Sequence, residues 1–116
     1  MPVIHTHVSV HTSAEEREAL KVAYGKAISI LPGKSEGWLM CPFEDNMPIY
    51  FAGDDDKPAA YVEVNVFGRS PVASQTWEKL GQAIMQAIHN TLGVEEDRMY
   101  IRYTATPDWG WNGGNF

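Results

Sequence analysis

At 116 residues, 44% apolar and 21% charged, the chain has the size and make-up of a single folded domain covering residues 1–116 around one hydrophobic core. Its formal charge of −6 disfavours a nucleic-acid partner, which Lys and Arg would have to hold through its phosphates. No run approaches the ~18 apolar residues that cross a membrane, so no membrane partner is expected.

The opening MPVIHTHVSV has neither the basic start nor the apolar stretch of a signal peptide. A cytoplasmic location, or export without a signal peptide, is therefore expected. Residues 2–10 alternate as a half-buried strand, with Ile4, Thr6, Val8 and Val10 on one side and Val3, His5, His7 and Ser9 on the other. Ser13 followed by Glu16 is a capping-box pattern, and Leu20, Tyr24, Ala27, Ile28 and Leu31 form a helical stripe before Pro32 and Gly33. Residues 37–43 read as a second strand, with Pro42 at its end or on an edge, then a turn over 44–46 and a short segment around 49–51. Cys41, the only cysteine, reads as a small buried side chain in that strand and has no disulfide or CxxC partner.

Beyond the acidic loop 54–58 the order strand, helix, strand repeats. Residues 59–67 alternate Ala60, Val62, Val64 and Val66 against Tyr61, Glu63, Asn65 and Phe67. Ser70 and Pro71 stand where an N-cap and first helical residue belong. Trp77, Leu80, Ile84, Ala87, Ile88 and Leu92 supply the stripe of a helix ended by Gly93, and 98–104 form the last strand. Two βαβ units predict an α+β fold: a ferredoxin-like, four-stranded mixed sheet with both helices on one face. The other face would show Tyr61, Phe67 and Tyr100 among Glu63, Asn65 and Arg102, and with the aromatic tail DWGWNGGNF it predicts self-association.

Several separated pieces also carry a resemblance along the whole chain. They are Met1-Pro2, Gly33-Lys34, Phe51-Ala52-Gly53, Phe67-Gly68, Asp97-Arg98-Met99-Tyr100-Ile101, and Gly110-Trp111-Asn112 with Phe116. In this the chain resembles the macrophage migration inhibitory factor and D-dopachrome tautomerase family. The resemblance implies a homotrimer of such subunits around a central channel, with active sites at subunit boundaries and no cofactor. It implies a keto-enol tautomerase for enolisable aromatic 2-oxo acids, phenylpyruvate-like, or for dopachrome-like compounds. It also leaves open a cytokine-like protein with a receptor partner, or a proline-based hydratase, dehalogenase or decarboxylase.

Tautomerisation needs a base near neutrality and stabilisation of an enolate. Removal of Met1 would leave Pro2 as a free secondary amine, which desolvation and nearby cations keep neutral. By resemblance Pro2 is the catalytic base and then acid, and Lys34 binds the substrate carboxylate. Phe67 (in place of the family's usual isoleucine), Tyr100, Trp109 and Trp111 are the remaining candidates for substrate contact, with Trp38 another apolar wall. Arg102 stands where the family usually has asparagine, so a planar donor fork replaces an amide there. The family's CxxC is absent. A metal site from His5, His7 and His11 is not expected, because histidines at i, i+2 are common without metal and no paired carboxylate is evident beside them.

Overall fold

Alternation and capping play out in three dimensions much as the sequence dictates. A computed structural model describes residues Met1–Phe116. Its elements begin with β1 (Pro2–Val8), α1 (Ala14–Ala27), β2 (Phe43–Glu44) and β3 (Ala60–Phe67). They continue with α2 (Ser74–Leu92), β4 (Met99–Thr106), β5 (Gly110–Trp111) and β6 (Gly114–Asn115). The main sheet has the order β2-β1-β3-β4, parallel at its two outer pairs and antiparallel at the centre. Each parallel pair is joined through a helix, the crossover that parallel strands require.

The core lies between one sheet face and the two helices. Ile4, Val8, Val62, Val64 and Val66 from the strands meet Leu20 and Tyr24 from α1, Ile28 from the 3-10 turn after it, and Leu80, Ile84 and Ile88 from α2, all fully buried. Thr6 and Tyr24 put two hydroxyls into this core and satisfy them against each other at 2.7 Å. Burial pushes the Tyr24 phenol well above its ordinary value, so it stays a neutral hydrogen-bonding group. The opposite sheet face carries His5, Tyr61, Glu63, Asn65, Tyr100 and Arg102 and has no layer over it.

Helix α1 starts at the expected capping box, in which the Ser13 hydroxyl accepts from the Glu16 N–H while the Glu16 carboxylate accepts from the Ser13 N–H. Helix α2 ends at Gly93, whose left-handed φ of 73° suits a residue without Cβ. Two expectations are corrected. The second strand is two residues, not seven: Glu36–Trp38 form a 3-10 turn, Met40 makes a single bridge to Val3, and Pro42 has no N–H with which to continue the ladder. Helix α2 starts at Ser74 after an Ala73 N-cap, so Ser70 and Pro71 belong to the connecting loop rather than to the cap.

Candidate active site

Strand β1 brings the chain start into the sheet, where Pro2 is buried opposite Val66. The Phe67 N–H donates to the Met1 carbonyl at 2.9 Å, and the Met40 N–H donates to the Pro2 carbonyl at 3.0 Å, so neighbouring backbone grips both sides of this terminus. The turn after α1 delivers Lys34, half-buried, whose ammonium donates to the Phe67 carbonyl. Burial, and then the positive charge of Lys34, hold the chain's terminal amine below its ordinary value of 8.0. Both causes disfavour an ammonium and leave a lone pair free to accept a proton.

Beside this terminus opens a cleft of about 550 Å³ lined by Leu31, Lys34, Val66, Phe67, Arg69 and Val72 among others. Cations flank the Phe67 ring, with the Lys34 Nζ and the Arg69 guanidinium each 5.5 Å from its centroid. The aromatic tail reaches the same place. Phe116 lies edge-on to Phe67 at 5.5 Å, Trp111 contacts Phe116 at 6.1 Å, and Trp38 meets Trp111 edge-on at 5.2 Å. The β5–β6 hairpin thus closes an apolar wall near the chain start instead of trailing free, and Trp109 at its base accepts the Phe116 N–H through its carbonyl. The buried Trp109 indole N–H has no acceptor.

Lys34 and Phe67 therefore line one cleft with the Pro2 end beside it, and Trp111 reaches Phe67 only through Phe116, whereas Tyr100 and Arg102 do not join them. Tyr100 pairs with Tyr61, five residues along β3 from the Val66 that faces Pro2, or about 17 Å at the rise of a strand. It is 66% exposed and touches Phe51 at 5.2 Å between ring centroids. Arg102 faces Glu63 in register yet forms no ion pair, and its guanidinium stays exposed. Arg69 was missed from the sequence; the basic residue just past Phe67-Gly68, at the end of a strand aimed at the terminus, was the available signal. The three histidines also separate. His11 sits beside Asp45 at 3.5 Å, while His5 and His7 share a carboxylate after all, that of Glu44 at 2.7 and 3.0 Å.

No protein-family model matches the chain, and no curated protein matches it. Among solved structures, MIF2 of Leishmania major superposes with a TM-score of 0.90 at 37% identity, covering 100% of this chain and 97% of that one. The chain belongs to the macrophage migration inhibitory factor family. A homologue of that factor from Prochlorococcus marinus superposes with a TM-score of 0.83 at 28% identity, covering 98% of each chain. The factor from Toxoplasma gondii, at 24% identity, shares the fold with a TM-score of 0.85 over 98% of this chain and 99% of that one.

Two further residues of this member of the migration inhibitory factor family bear on its chemistry. Arg102 puts a permanent charge on the open sheet face. Cys41 stands without a second thiol, half-buried, and burial pushes its thiol up to about 11, far from a reactive thiolate at neutral pH.

Proposed function

We propose that this chain is a keto-enol tautomerase acting on enolisable aromatic 2-oxo acids or dopachrome-like compounds, with the Pro2 amine, freed by removal of Met1, as general base and then acid. The observation that carries the reading is the placement of Pro2, buried against Val66 while half-buried Lys34 bonds the neighbouring Phe67 carbonyl in a cleft walled by Phe67. Burial and Lys34 already lower the basicity of the Met1 amine one residue outward. With Met1 gone the free amine moves one residue inward, to a position already buried against Val66. In the proposed reaction Pro2 takes the proton from the carbon beside the carbonyl and returns it at the other end of the enol system. Lys34 holds the substrate carboxylate, and Phe67 and Trp111 pack against the aromatic ring. Arg69 adds a second cation at the mouth of the same cleft. Homotrimerisation brings Tyr100 and Arg102 of a neighbouring subunit to this cleft.

Phenylpyruvate enol–keto conversion, compared between Met1-processed and Met1-retaining protein, tests the reading directly. An amide nitrogen has no basic lone pair, so the retaining form is expected to lose on the order of a hundredfold in kcat/KM. Processed Pro2→Gly keeps an amine, but a primary one on a freely rotating residue, and is expected to lose activity through the lost orientation of its lone pair. Equal rates for the processed and retaining forms remove Pro2 from the mechanism.

A further inference from the structure

His5 and His7 sit at i, i+2 on β1, so both rings stand on the open sheet face, and Glu44 on the parallel neighbour β2 is in register with His7. A single carboxylate oxygen, Glu44 Oε2, lies 2.7 Å from His5 Nε2 and 3.0 Å from His7 Nε2. The other nitrogen of His7 decides what this means. Its Nδ1 is 3.0 Å from the Tyr61 carbonyl oxygen, which can only accept, so Nδ1 carries the proton. In the neutral ring Nε2 then presents a bare lone pair to a carboxylate oxygen, two acceptors facing each other across 3.0 Å. A cation between them converts that repulsion into two bonds. The rings around His7 keep it aimed there, with His5 centred 4.0 Å away and Tyr61 stacked at 5.4 Å.

We infer that His5, His7 and Glu44 form a divalent metal site, taking Zn²⁺ through two imidazole Nε2 atoms and one carboxylate oxygen. The three donor atoms already lie within 4.8 Å of one another. Bonds of the usual length to a tetrahedral zinc place its ligands about 3.3 Å apart, so the His5 contact has to widen by about 0.6 Å and the His7 contact by about 0.3 Å. Two neutral imidazoles and a carboxylate suit this borderline ion better than Mg²⁺ or Ca²⁺, which take oxygen ligands. The hydrogen bond from His7 Nδ1 to a backbone carbonyl is the kind of outer contact that fixes the tautomer and orientation of a metal-binding histidine. His5 and Glu44 are 30% and 51% exposed at their side chains, which leaves the fourth position open to water. His5 lies three residues, or about 10 Å, along β1 from Pro2, so the site stands apart from the proposed proton chemistry.

Calorimetric titration of untagged, chelator-stripped protein with Zn²⁺ tests this, alongside Glu44→Gln, which preserves side-chain shape, and His7→Ala. One ion per chain is expected. Affinity should fall at least tenfold in Glu44→Gln and further in His7→Ala, and should persist in Pro2→Gly. Circular dichroism of each variant separates lost ligation from lost folding. No uptake by the wild-type protein, or equal uptake by folded Glu44→Gln, overturns the site. If uptake is absent and nitrogen NMR finds both His7 nitrogens protonated, a proton and not a metal bridges the pair.

Discussion

Lys34 is the residue on which the electrostatics of the chain start turn. Burial, and then its ammonium, disfavour a positive charge on the Met1 amine, and the same two causes are expected to act on the Pro2 amine once Met1 is removed. Removing it in Lys34→Ala should let the amine bind its proton more readily. A general base works when unprotonated, so the acid limb of kcat/KM against pH should move to higher pH in this variant. The loss of one charge-assisted contact to a substrate carboxylate, roughly 1.5 to 3 kcal/mol, should also lower kcat/KM by about tenfold to a hundredfold. An unchanged pH profile would show that Lys34 does not act on the base. Arg102 poses a separate question, because it is exposed and has no acidic partner despite facing Glu63. A free guanidinium offers a fork that fits a carboxylate. If a neighbouring subunit brings it to the cleft, Arg102→Asn should cost the acid substrate about tenfold to a hundredfold while leaving its methyl ester nearly unaffected. Equal effects on acid and ester would make Arg102 structural.

At the scale of elements, the packing of α2 on β4 depends on a side chain that is missing. A methyl group at Gly81 would come within 1.8 Å of the Tyr103 hydroxyl oxygen, and the Tyr103 ring is held by stacking on Trp77 at 5.0 Å. Gly81→Ala should therefore destabilise the fold by about 1 to 3 kcal/mol in urea unfolding, despite the better helix propensity of alanine. Adding Tyr103→Phe removes the clashing oxygen and should recover much of the loss. That close approach was invisible in the sequence, since nothing local relates residue 81 to residue 103. Patterns closed within a few residues were legible: the Ser13–Glu16 box, the alternation of 60–67 and the stop at Gly93 all rest on short-range chemistry. The apolar run of 37–43 misled because hydrophobicity alone does not show that a 3-10 turn and Pro42 would break the ladder. Likewise, Lys34 and Phe67 were legible as candidates through family resemblance. The pairing of Glu44 with His5 and His7 was not, because a crossover connection of nearly forty residues brings them together.

For the whole molecule, the two edges of the sheet are unlike. One is the two-residue β2 and the other the eight-residue β4, and an open strand edge invites pairing with another chain. Association through two different surfaces is heterologous and either closes into a ring or runs on as a filament. A ring of three agrees with what the family resemblance implies, in which the open face that carries Tyr100, 66% exposed, turns toward a water-filled central channel. It also resolves the roughly 17 Å that separates Tyr100 from the Pro2 end within one chain. Sedimentation is expected to give a particle of three 13.0 kDa chains. Mixing variants tests whether the site is shared. Protein that retains Met1 lacks the base because its Pro2 nitrogen is an amide, and a Tyr100→Ala, Arg102→Ala double variant lacks the contacts assigned to the neighbour, so each homotrimer should be weakly active. After unfolding together and refolding in equal amounts, a site draws an intact base from one subunit in half of cases and intact Tyr100 and Arg102 from the next in half of those. About a quarter of native sites should then be whole, and that share of the native activity should return. If each site were complete within its own chain, no mixed trimer could hold an intact one, and refolding would yield only the average of the two weak activities.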